Sequence, residues 1–119
     1  MTPQQKKRKQ QNKCDRIIQE IGRETYKNCY VCGGVYSCLH HFIPKSRSNK
    51  LRYDWENLIP ICSHCHSLHH QYKDSTIHAK IQLKKGEEWA KSLIKKQQEI
   101  VQTTLGYYKK IYENLKKLT

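Results

Sequence analysis

A chain of 119 residues with 23 Lys plus Arg against 10 Asp plus Glu, a formal charge of +13, carries a positive field suited to a polyanion, and nucleic acid is the first partner to consider. Only 36% of its residues are hydrophobic, a lean supply for a single small core, so a metal is the expected supplement to burial. No apolar run approaches the roughly 18 residues of a membrane span, and no signal-peptide pattern opens the chain, so the expectation is a soluble, cytoplasmic protein with no membrane partner. In a reducing compartment six cysteines point to metal ligands rather than disulfides.

Residues 1–12 are polar and basic without apolar periodicity and read as a flexible arm, either lying along phosphates or merely solvated. From Lys13 onward Cys14, Ile17, Ile18 and Ile21 recur at helical spacing, which predicts a short amphipathic helix with Cys14 as a small buried residue. Asn28–Gly34 holds the first CxxC and two glycines that permit a tight turn. The following VYSCLHHFI is β-branched and aromatic and predicts a strand or hairpin ending at Pro44. Lys45–Glu56 has no period and reads as a basic surface loop, with Tyr53 and Trp55 packing beneath it or one of them stacking on a splayed base, leading to a second strand at Leu58–Ile61.

Ser63 is a plausible N-cap for a helix over His64–Lys73. Helical pattern continues from Ser75 to Lys85, stops at Gly86 and resumes at Glu87 with Trp89, Leu93 and Ile94. A break is expected near Thr103, Thr104 and Gly106, and a last helix would place Tyr108, Ile111, Tyr112, Leu115 and Leu118 on one face. The class is therefore α+β. Three segments follow: the arm at 1–12, a core at 13–85 and a C-terminal helical extension at 86–119.

Cys29-x-x-Cys32 and Cys62-x-x-Cys65 supply four thiolates in two knuckles, the ligand set of a closed, structural zinc site. A redox CxxC or unrelated buried cysteines would not explain two such pairs, and Cys38 stands alone as a packing residue. Between and just after the knuckles lie His40-His41-Phe-Ile-Pro44, then Asn57-Leu-Ile-Pro-Ile-Cys62, then His66. Adjacent strand residues point to opposite faces, so His40 and His41 should divide their labour. A neutral imidazole held in one tautomer can take a proton from water near neutral pH, and Asn57 has the donor and acceptor to hold it.

At these positions the chain resembles the HNH (His-Me finger, ββα-metal) endonuclease family. The resemblance implies a small ββα-metal core buttressed by a zinc knuckle, preceded by one helix and followed by C-terminal helices. It implies His41 as general base, Asn57 as the residue orienting it, and His40 and His66 as ligands of a divalent catalytic metal. His70, one helical turn beyond His66, is a weaker third ligand. Hydrolysis of DNA to 5′-phosphate and 3′-hydroxyl ends would follow. The departure is His40, where many relatives carry aspartate; an all-imidazole set suits Zn2+, Ni2+ or Mn2+ better than Mg2+. Lys45, Arg47, Lys50 and Arg52 would bind phosphates beside the scissile bond, while His64, His69 and His78 read as surface or packing residues.

A looser likeness links CGG…HHFIPKSRSNKLRYDWENLIPICSHCH, KKGEEWAKSLIKK and the lysine-rich end to the phage NinG/Rap recombination nucleases. It implies branched DNA as substrate, a phage-infected or bacterial cell, and a homodimer through the C-terminal helices. Two other readings stand beside the nuclease: a non-catalytic zinc module that recruits partners to nucleic acid, and an RNA-directed binder.

Overall fold

A computed structural model describes residues 1–119 as five helices and a two-stranded antiparallel sheet, an α+β arrangement. In chain order these are α1 (Pro3–Thr25), β1 (Cys38–His41), a 3-10 turn (Trp55–Asn57), β2 (Leu58–Ile61), α2 (Ser63–His70), α3 (Thr76–Lys85), α4 (Glu87–Gln97) and α5 (Leu105–Lys116).

The expected arm at 1–12 is instead the first half of α1, which runs unbroken from Pro3. Thr2 caps it, accepting from the Gln5 N–H while the Gln5 side chain accepts from the Thr2 N–H, and Pro3 at the first helical position gives up an N–H the helix does not need. Gln, Lys and Arg are good helix formers without any apolar period, so the polar turns extend a helix anchored further along by Ile17, Ile18 and Ile21.

Strand pairing sets Cys38 against Ile61, Leu39 against Pro60, His40 against Ile59 and His41 against Leu58. Opposed residues share a face, so Leu39, His41 and Leu58 look one way and Cys38, His40, Ile59 and Ile61 the other. Two cores result. On the first face Leu39 and Leu58 join Cys14, Ile17, Ile18 and Ile21 of α1, Tyr53, and Tyr108 and Leu115 of α5. On the second, Ile59 and Ile61 join Cys29, Cys62 and Cys65 with Ile77 and Ile81 of α3. The strand expected from Val35 to Ile43 is shorter, because the residues before Cys38 turn back through an isolated bridge between Asn28 and Val35.

β1 has a partner on one side only. Gln19 closes the other: its Nε2 donates to the Leu39 carbonyl at 3.1 Å and its Oε1 accepts from the Leu39 N–H at 3.0 Å. Gly22 lets α1 approach that closely, since a Cβ there would stand 2.5 Å from the Tyr36 hydroxyl and 2.8 Å from Leu39.

The Lys45–Glu56 loop is more tightly held than a free surface loop. Leu51 and Tyr53 are buried, Asp54 pairs with Lys96 of α4 at 2.9 Å, and Trp89 donates its indole N–H to the Glu56 carbonyl at 2.8 Å. Gly86, at φ +96°, separates α3 from α4 as expected. Thr104 caps α5 and Gly106 lies inside its first turn, so the expected break falls before Leu105. α5 buries Tyr108 and Leu115 against α1, with Leu118 left exposed. The apolar face of α5 that the sequence offers to a second copy is thus occupied within the chain. No helix is long and apolar enough to cross a membrane.

Candidate functional site

The two cysteine knuckles meet where the loop before β1 passes the start of α2. Sulfur atoms of Cys29, Cys32, Cys62 and Cys65 all lie within 4.8 Å of one another, and Cys32 and Cys62 are 3.6 Å apart. Two sulfurs sharing one tetrahedral zinc stand about 3.8 Å apart, given the Zn–S distance of roughly 2.3 Å, whereas a disulfide would draw them to about 2 Å. Backbone N–H groups of Val31, Gly34 and Cys65 donate to Cys29, Cys32 and Cys62 at 3.3–3.4 Å, the interaction a thiolate needs in a partly buried setting. Burial would raise the Cys29 thiol, but backbone groups of Cys32, Cys62 and Val31 bring it down to about 7. Four anionic sulfurs leave no open coordination position, so this site is positioned to hold a structural ion.

On the second sheet face His40 is 4% exposed and stands at the centre of four other imidazoles. Ring centroids of His66, His69, His70 and His78 lie 5.1–5.3 Å from its own. Donor nitrogens of His40, His66 and His70 fall within 4.8 Å of one another. Strand alternation aims His40 at α2, and His66 and His70, one turn apart, present the same face of that helix. Cys38, on the same sheet face, places its sulfur 3.6 Å from His66 Nδ1. An Nδ1–H donated there leaves the Nε2 lone pair for an ion. Burial, reinforced by the neighbouring imidazoles, holds His40 down to about 2 and His78 to about 4, so these two are neutral and donor-competent at pH 7. His69 and His78, read from the sequence as surface or packing residues, belong to this cluster, and His64 is exposed as expected.

His41 turns to the opposite face and opens onto a cleft of about 560 Å³ that is also lined by His40, His66, His70 and Lys45. Its Nε2 lies 3.0 Å from the Arg52 carbonyl. A carbonyl only accepts, so Nε2 carries the proton and Nδ1 keeps a free lone pair. Burial lowers the His41 pKa, Lys45 and Arg52 lower it further, and the Arg52 carbonyl and Asp15 oppose them without reversing the direction.

Asn57 does not reach His41 with its side chain. Fully buried, it accepts from the Ile43 N–H at 2.8 Å and donates to the carbonyls of Ile43 and Leu51 at 3.0 and 3.2 Å. The expected direct contact is replaced by an indirect one: Asn57 ties down the peptide immediately before Arg52, whose carbonyl aligns the imidazole.

Residues 29–72 match the family described as HNH endonuclease. Over that stretch, 44 of the 119 residues, the chain is similar to HNH endonucleases. No curated protein and no solved structure matches the chain. Both CxxC pairs, His40, His41, Asn57, His66 and His70 fall inside the matched residues, whereas His78 lies outside.

Within the matched residues the four basic residues expected at phosphates separate into two kinds. Lys45 is exposed and lines the cleft, and Arg47 is exposed on the same loop. Arg52 is committed elsewhere: its guanidinium donates to both Asp15 oxygens at 3.0 and 2.7 Å, and Tyr53 donates to the same carboxylate at 2.7 Å. Lys50 pairs with Glu99 at 3.3 Å on the surface. The loop therefore takes Arg52 as a brace to α1, a pairing that charge alone could not have supplied.

Proposed function

We propose that this chain is a metal-dependent DNA endonuclease in which His41 is the general base and His40, His66 and His70 hold the catalytic divalent ion. One observation carries the reading: three imidazole donors converge within 4.8 Å beside a fourth imidazole whose Nδ1 is left free by its Nε2–H bond to the Arg52 carbonyl. When bound, the ion would neutralise charge on the scissile phosphate and stabilise the leaving 3′ oxygen. His41 takes a proton at Nδ1 from the water that attacks phosphorus, the phosphorus to 3′-oxygen bond breaks, and the departing 3′ oxygen takes a proton from solvent, giving 5′-phosphate and 3′-hydroxyl ends. Asn57 is a positioning residue acting through the Leu51–Arg52 peptide. Lys45 and Arg47 hold flanking phosphates without reading sequence. An all-imidazole set favours Zn2+, Ni2+ or Mn2+ over Mg2+.

The likeness to phage recombination nucleases extends the proposal to branched DNA, so the test uses both a supercoiled plasmid and a four-way junction. Chain carrying zinc only at its cysteines is expected to leave both intact, and to nick them once Mn2+ or Ni2+ is added, with nicks that DNA ligase reseals. Binding of DNA without cleavage under Mg2+, Mn2+, Ni2+ and Zn2+ alike would contradict the proposal and leave the non-catalytic zinc adaptor. Cleavage of the plasmid but not the junction would remove only the branched-DNA part.

A further inference from the structure

Two imidazoles of the cluster have no part in the reading above. His69 on α2 and His78 on α3 stack with centroids 4.1 Å apart and 12° between their planes. His78 Nε2 lies 3.0 Å from His40 Nε2, and donor atoms of His40, His69 and His78 all fall within 4.8 Å of one another.

Simple packing does not account for this arrangement. His69 Nδ1 is buried and has no hydrogen-bond partner, an omission that folded proteins ordinarily avoid. His78 is held facing His40 by Phe42, stacked on it at 4.4 Å and 18°, and Phe42 is itself backed by Trp89 of α4 at 4.8 Å. Two nitrogens bound to one tetrahedral zinc stand about 3.3 Å apart, given Zn–N distances of roughly 2.0–2.1 Å, close to the separation of the His40 and His78 nitrogens. Three neutral donors of one kind, preset by a packed aromatic pair and including one buried orphan atom, have the character of a ligand set.

We infer that His40, His69 and His78 form a second metal position for an imidazole-preferring divalent ion such as zinc, alternative to the one at His40, His66 and His70. The inference rests on the reading of the latter three as the first position. His40 belongs to both sets, so a single ion commands three imidazoles at one position or the other. All three ligands of the first position line the cleft onto which His41 opens, whereas at the second His40 and His69 line it and His78 does not, so an ion that engages His78 is drawn toward α3 and away from the base. The second position is thus non-productive: it holds the ion in reserve and withdraws His40 from the reaction.

The test is Co2+ titration of the full chain with zinc already at the four cysteines, read by visible absorption and by metal content per chain. Unaltered protein is expected to bind one Co2+ beyond the structural zinc. The His66→Ala/His70→Ala double variant is expected to keep one histidine-bound Co2+, and addition of His78→Ala to weaken that binding at least tenfold. Far-UV circular dichroism and retained cysteine-bound zinc establish folding, and His66→Gln/His70→Gln carries the same test should the alanine pair unfold. A folded double variant that binds no Co2+, while the unaltered chain does, would overturn the second position and leave the first intact. An unaltered chain binding no Co2+ outside its cysteines would overturn both.

Discussion

Asn57 joins the two ends of the basic loop from a fully buried position, through three hydrogen bonds to Ile43 and Leu51. Asn57→Ala leaves those backbone groups unsatisfied, and a loss of roughly 2–4 kcal/mol in urea denaturation is expected; unchanged stability would contradict the bracing role. Arg52 and Asp15 brace the same loop from α1. Burial works to raise the Asp15 pKa, but the Arg52 guanidinium and the Tyr53 hydroxyl outweigh it and hold Asp15 below the ordinary carboxylate range. A carboxyl with a folded pKa below its unfolded value stabilises above about pH 4 and loses that contribution as pH falls through the lowered value. Asp15→Asn should therefore lower the melting temperature at pH 7 and flatten its fall on acidification between pH 4 and 2; an unaltered acid limb would sink the assignment. Residue types and spacing in one stretch made His40, His41, Asn57 and His66 legible as candidates, though not that Asn57 bonds Ile43 and Leu51 rather than His41. Arg52's commitment and the places of His69 and His78 were not, because each depends on a partner in a distant element: Asp15 for one, His40 for the others.

α1 illustrates what the local pattern carries and what it leaves out. Its apolar stripe from Cys14 to Ile21 marks a helix, and the Thr2–Pro3–Gln5 cap was equally present in the sequence, but a polar half-helix has no periodicity to separate it from a solvated tail. β1 depends on that helix twice, through the Gln19 clasp on Leu39 and through the close approach at Gly22. Gly22→Ala should destabilise the protein by about 1–3 kcal/mol, since the new methyl collides with Leu39 and Tyr36 and overpacks the junction. A thermal midpoint equal to or above that of the unaltered chain would show that the junction relaxes. β2 has its expected bounds, whereas β1 is shorter because the residues before Cys38 turn back, and α2 ends at His70, short of the expected Lys73, whose φ is +52°.

At the scale of the whole molecule the protein has two small cores sharing one thin sheet, with the cysteine knuckles forming a wall of the second. A structural zinc contributes about 10–16 kcal/mol of apparent binding energy, comparable to the entire stability of a typical domain. Cys62→Ser is accordingly expected to abolish the cooperative thermal transition rather than shift it. The +13 charge reads as a field suited to a polyanion, and only pairing separates the basic side chains committed within the fold, such as Arg52, from those left exposed, such as Lys45. Lys45→Ala should reduce the slope of log affinity against log salt by about 1, and Arg52→Ala should leave it unchanged.

Imidazole activation of water is most directly tested by His41→Ala. With the same divalent metal bound and DNA affinity retained, its plasmid-nicking rate should fall by roughly 10²–10⁴-fold, the contribution of a positioned general base. Nicking at the unaltered rate would contradict the account.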